Sequence, residues 1–117
     1  MNYFITVNYG TSNLIKVWAS SIRKVSKDAA LVLVDNFKSE CERDRVKSIV
    51  KDLDIHFIES ENVGYGQSLN KAIDYCFDLE GDRSFNIFAG NLDIEYKSFS
   101  LVKMDKKCVY IPTIQEV

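Results

Sequence analysis

The sequence predicts an α/β fold, a mostly parallel sheet with helices on both faces. Three observations carry it. Strand-like and helix-like segments alternate along the chain, which implies βαβ units. The run Ala30-Leu31-Val32-Leu33-Val34 is continuously apolar, as strands buried on both faces are. Leu69, Ala72, Ile73, Cys76 and Phe77 recur at helical spacing before Gly81-Asp82.

Each element follows from its own pattern. Residues 3–8 are rich in β-branched and aromatic side chains and read as the first strand. Gly10-Thr11-Ser12-Asn13 turns the chain and can cap a helix. Leu14, Ile15, Trp18, Ile22 and Val25 then mark an amphipathic helix. The second strand, residues 30–34, ends at Asp35-Asn36. A charged segment leads to a second helix with Val46, Ile49, Val50 and Leu53 inward. Residues 55–58 form a third strand, followed by the polar run Glu59-Ser60-Glu61-Asn62. After the third helix come a fourth strand over residues 85–89 and a short fifth over 108–111, ended by Pro112. Right-handed crossovers put successive helices on predictable faces, and the usual strand order of such a sheet is 3-2-1-4. Ligands of such sheets sit beyond the carboxyl ends of the strands, where the winding reverses.

Composition excludes several classes. The 117 residues leave room for one domain, residues 1–117. Net charge is −2 and the Lys and Arg residues are scattered, so there is no basic stripe for a nucleic-acid backbone. No apolar run reaches the length of a membrane span. The N-terminus lacks the positive region and cleavage site of a signal peptide. Cys41, Cys76 and Cys108 are odd in number and far apart, which points to reduced thiols and a cytoplasmic setting. His56, between Ile55 and Phe57, reads as structural.

Four polar clusters each follow a predicted strand: Asn8-Tyr9-Gly10, Asp35-Asn36, Asn62-Val63-Gly64-Tyr65-Gly66 and Asn91-Leu92-Asp93. The predicted sheet brings all four to one edge. Tyr9 could stack on a flat base, with Asn8 offering amide hydrogen bonds, or simply cover the core edge. Asp35 could accept from a base N–H or a ribose hydroxyl, or serve as a cap or turn residue. Gly64 and Gly66 could let an anionic ligand approach a helix N-terminus, with Asn70 one turn on. This segment lacks the third glycine of the dinucleotide fingerprint. Asp93 and Glu95 offer oxygen ligands of the kind that hard divalent cations prefer.

The clusters in this order resemble family-2 glycosyltransferases of the GT-A type, in the bacterial surface-polysaccharide, rhamnosyltransferase-like branch. The resemblance covers residues 3–93. It implies a Rossmann-like nucleotide-sugar-binding half without the acceptor-binding half. It implies that Tyr9 contacts the base, that Asp35 bonds base or ribose, and that the segment from Asn62 to Asn70 lines the donor pocket. Asp93 matches the last carboxylate of the family's metal-binding Asp-x-Asp motif, which holds Mn²⁺ or Mg²⁺ on the donor diphosphate. Asn91 stands at the motif's first position, and Leu92 replaces the proline typical of this branch.

The implied donor is a nucleotide-diphospho-sugar with UDP or dTDP as carrier, and the implied reaction is inverting transfer in polysaccharide biosynthesis. No residue presents itself as the catalytic base; nothing in the setting of Asp105 singles it out. A binding module that keeps the fold without the activity is the alternative. A receiver-like signalling domain would need an acidic pair after the first strand and a phosphoacceptor Asp after the third. Asn8-Tyr9 and Ser60-Glu61 do not supply these. Leu101, Val102, Val109, Ile111, Ile114 and Val117 predict an apolar C-terminal face covered by a homodimer or a partner chain. The expected location is the cytoplasm, including the inner membrane face.

Overall fold

The computed structural model describes residues 1–61, 64–93 and the strand 109–110. Strand β1 (Asn2–Asn8) leads through a 3₁₀ turn (Ser12–Leu14) to helix α1 (Ile15–Val25). Strand β2 (Ala30–Asn36), helix α2 (Glu40–Asp52), strand β3 (His56–Ser60), helix α3 (Tyr65–Glu80) and strand β4 (Asn86–Ala89) follow. Strand β5 (Val109–Tyr110) completes the sheet. The strand order is β3-β2-β1-β4-β5 and every pairing is parallel. The chain is therefore an α/β protein with a parallel, Rossmann-like sheet, as the alternation of strand and helix patterns predicts.

Side-chain parity along the strands divides the core between two faces. On one, Phe4, Leu31, Leu33 and Phe88 meet Ile15, Trp18, Ala19 and Ile22 of α1 and Val46 and Val50 of α2. The rings of Phe4 and Phe88 stack there with centroids 4.9 Å apart. On the other, Tyr3, Ile5, Val7, Val32, Val34 and Ile87 meet Ala72 and Cys76 of α3. Each large aliphatic or aromatic side chain so buried contributes roughly 1.5–3 kcal/mol relative to exposure. The twin cores explain why β1 and β2 are apolar along nearly their whole length. They also make Cys76 a packing residue, because burial pushes its thiol up to about 12.

The crossovers create the functional geometry. The β1-α1-β2 and β2-α2-β3 units wind in one direction with their helices on one face. Helix α3 then returns across the opposite face to place β4 on the far side of β1. The winding reverses between β1 and β4, which opens a crevice beyond their carboxyl ends.

Two helix starts fix the loops around that crevice. Ser39 caps α2, its Oγ accepting from the Glu42 amide at 3.2 Å. Ser39-Glu40-Cys41-Glu42 has the spacing of a capping box. The Glu42 carboxylate turns elsewhere, accepting from the Gly10 amide at 3.1 Å. Helix α2 thereby holds the loop that follows β1. Gly64 precedes α3 with φ +90°, a conformation that disfavours any side chain. It brings the chain into the helix at Tyr65, so Tyr65 and Gly66 occupy the first turn rather than a preceding loop.

Candidate functional site

A cleft of about 410 Å³ lies beyond the carboxyl ends of β1, β2 and β4. Val7, Tyr9, Thr11 and Leu14 line it from β1 and the turn that follows, and Asn36 from the end of β2. Tyr65 contributes from the first turn of α3, and Asn91, Leu92 and Asp93 from the loop after β4. Two large rings are exposed there, Tyr9 at 48% and Tyr65 at 44%. Apolar walls with a few convergent polar groups are the usual make-up of a small-molecule site.

Strand parity decides which candidates reach this cleft. Asn36 follows Val34 in parity, toward α3, and its amide lies 2.8 Å from the Ser68 hydroxyl. That bond joins the end of β2 to α3 and leaves Asn36 on the cleft wall. Asn8 and Asp35 take the opposite parity, shared with Phe4 and Leu33, and are fully buried. They are register partners across β1 and β2, and Asn8 Nδ2 donates to Asp35 Oδ1 at 2.9 Å. Asn8 Oδ1 accepts from the Thr11 amide at 3.1 Å and from the Thr11 hydroxyl at 2.8 Å. The Asn8–Asp35 pair thus ties down the Tyr9-Gly10-Thr11 loop from below and does not line the cleft.

Asp35 is the electrostatic anomaly of the fold. Its Oδ2 is buried with no hydrogen-bond partner. Desolvation raises its carboxyl above the ordinary value near 3.8, the Asn8 hydrogen bond pulls it down, the charges of Glu42 and Glu59 add to the rise, and the charge of Arg43 opposes it. Buried polar atoms are nearly always paired, so an orphaned carboxylate oxygen calls for a reason beyond packing.

The remaining candidates divide. Asn91 and Asp93 are exposed on the cleft lip. Burial raises the Tyr65 phenol, and the negative charge of Asp93 raises it further. Gly64 and Gly66 lie at the exposed start of α3, outside the cleft lining, and Asn70 is exposed one turn further on. Asn62 and Glu95 lie outside the described residues, as do Asp105 and the side chains of the predicted C-terminal apolar face. His56 is exposed at the start of β3, away from the carboxyl edge, with Nδ1 2.7 Å from the Tyr75 hydroxyl. Sequence reasoning did not single out Thr11, Leu14 and Tyr65 as site residues. The Gly64-Tyr65-Gly66 segment was the available signal for Tyr65, because a helix beginning at that tyrosine aims its first turn at the crevice.

Among the described residues no group of three or more His, Cys, Asp or Glu could hold a metal ion. Asp93 is the one carboxylate among the described cleft-lining residues. A single carboxylate with oxygen donors fits Mg²⁺ or Mn²⁺ where ligand phosphates complete the shell.

Comparison with protein-family models, curated proteins and solved structures finds no match to this chain. No helix among the described residues is long and apolar enough to cross a membrane.

Proposed function

We propose that the cleft binds a nucleotide-diphospho-sugar, with UDP or dTDP as carrier, and that the chain is the donor-binding part of a glycosyltransferase acting in polysaccharide biosynthesis. The observation that supports this best is the location of the cleft. It sits at the reversal between β1 and β4, between the exposed rings of Tyr9 and Tyr65 and the carboxylate of Asp93. The volume of about 410 Å³ is within the range of small-ligand pockets. Tyr9 provides an aromatic face for a base. Thr11, Asn36 and Asn91 supply polar groups for base, ribose and sugar hydroxyls. Asn8 and Asp35 act from below, by holding the Tyr9 loop.

On this reading Asp93 would hold Mn²⁺ or Mg²⁺ against the diphosphate. Such a cation, when bound, neutralises charge growing on the departing nucleotide. Tyr65, which lines the cleft with Asp93, can donate its phenol proton to an anionic oxygen of the same ligand. An acceptor hydroxyl would attack the anomeric carbon with inversion as the nucleotide diphosphate leaves. The reading assigns no base to deprotonate that hydroxyl. One observation favours binding without transfer: Asp93, the only carboxylate among the described residues lining the cleft, is already assigned to the cation. A homodimer or partner chain that completes the acceptor side remains part of the proposal.

Calorimetry with UDP, dTDP, GDP and their sugars, with and without Mn²⁺, tests the reading. Absence of binding by any of them to folded protein would sink it. With UDP, Mn²⁺ is expected to tighten binding about tenfold through the bridging carboxylate. Asp93→Ala is expected to abolish that enhancement while leaving metal-free affinity close to wild type. Equal enhancement in both proteins would refute the assignment of Asp93.

A further inference from the structure

The loop after β1 carries an arrangement that the nucleotide reading alone does not explain. The Lys38 ammonium stands 4.7 Å from the centroid of the Tyr9 ring. Lys38 follows β2 and is exposed, yet it does not line the cleft, whereas Tyr9 does. The cation thus stands over a ring that lines the cleft without itself entering the cleft lining. Gly10 makes the contact possible. A Cβ built there would fall 2.8 Å from Lys38 Nζ and 2.9 Å from Lys38 Cε, and its φ of +69° disfavours a side chain in any case. Glu42 accepts from the Gly10 amide at 3.1 Å. No salt bridge engages Lys38 among the described residues.

We propose that Lys38 is a positioning residue for the base-binding wall, holding the Tyr9 ring by a cation–π contact so that its cleft-facing side receives the base. The inference rests on the nucleotide reading and deepens it. A free tyrosine side chain on an exposed loop samples several rotamers, and fixing one of them before binding removes part of the ordering cost. A cation over one face also withdraws electron density from the ring, which favours stacking of an electron-rich base on the other.

The alternative role for an exposed lysine beside such a site is a direct charge contact with the ligand's phosphates. The two roles differ in what they require of the ligand. Positioning of the ring affects any ligand that carries the base. A phosphate contact affects only a phosphorylated one.

The experiment is a set of NMR titrations of wild type, Lys38→Met, Lys38→Arg, Tyr9→Ala and the Lys38→Met/Tyr9→Ala double variant with UDP and with uridine. The shifts of the Tyr9 ring protons before ligand addition give a readout independent of affinity. Lys38→Met is expected to move those shifts and to weaken UDP and uridine by the same factor, about two- to fivefold, the size of an exposed cation–π contact. Lys38→Arg, which keeps the cation, is expected to stay near wild type. The double variant is expected to bind no worse than Tyr9→Ala, because the lysine acts through the ring. Loss of UDP affinity alone, additive losses in the double variant, or unchanged affinity in Lys38→Met would each overturn the inference. Wild-type protein that binds neither ligand would overturn the nucleotide reading and the inference with it.

Discussion

Asp35→Asn is expected to stabilise the folded chain at neutral pH by about 1–3 kcal/mol, the cost of leaving a buried polar atom unsatisfied. The carboxylate is fully buried, spends one oxygen on Asn8 and leaves the other without a partner. An asparagine of the same shape still accepts from Asn8 Nδ2. It also replaces the orphaned oxygen with an amide donor, where the charges of Glu42 and Glu59 oppose ionisation and that of Arg43 only partly offsets them. The pH dependence follows from the sign of the shift. The Asp35 carboxyl is raised on folding, so the native state holds that proton more tightly than the unfolded chain does. Its contribution to stability is fully present below the ordinary value near 3.8 and is lost as pH rises through the folded value. The advantage of Asp35→Asn should therefore be full at neutral pH and vanish below that ordinary value. Urea unfolding at a series of pH values measures it as a shift in midpoint at constant slope. A variant less stable than wild type at pH 7 would show that the ionised carboxylate is satisfied after all.

A rise in stability on Asp35→Asn would place a destabilising carboxylate beneath the cleft, the pattern of a site at which stability is given up for function. The same Asp35→Asn protein thus separates two quantities that usually fall together. Its stability should rise. Its affinity for nucleotide should stay close to wild type, because the asparagine still accepts from Asn8 Nδ2 and Asn8 still holds the Thr11 end of the loop.

Much of this architecture was legible in the sequence. The apolar runs of β1 and β2 announce strands buried on both faces, and the twin cores around Trp18 and Cys76 show why. The order of the first four strands is the usual one for a doubly wound sheet, as expected from the fold class. Helix α2 was legible only from Val46 onward, because its first turns are stabilised by the Ser39 cap and solvated charges rather than by burial. The start of α3 was misplaced for a related reason. Gly64 provides the turn through its positive φ, so the helix begins at Tyr65 without a side-chain cap. The clusters that follow β1, β2 and β4 each supply residues to the cleft lining. Depth within those clusters was not read. Residues at a strand end look alike as a polar group, yet one-residue parity sends Asp35 beneath the loop and Asn36 onto the cleft wall. Applying the period of two through the last residue of β2 would have separated them.

Tyr9, in the bend after β1, lies on the cleft wall, and its substitution should have the largest effect on binding. Stacking of a base on an aromatic side chain is worth roughly 1–3 kcal/mol, which is roughly 5- to 150-fold in affinity. Tyr9→Ala is expected to weaken UDP by that factor, and Tyr9→Phe to stay close to wild type, because the ring face and not the hydroxyl is used. Tyr65 should behave in the opposite way. Its hydroxyl, like any phenol, is a donor at neutral pH, and it lines the cleft with Asp93. If that donor serves an anionic oxygen of the ligand, Tyr65→Phe should lose UDP affinity while leaving uridine binding unchanged. The loss should be of the order of one charge-assisted hydrogen bond, about 1.5–3 kcal/mol. Titrations of both phenylalanine variants with UDP and with uridine distinguish the two roles. Equal losses for both ligands in Tyr65→Phe would place its hydroxyl at the base or ribose. A Tyr9→Phe protein as impaired as Tyr9→Ala would show that the first wall works through its hydroxyl, and the stacking account of the cleft would fail.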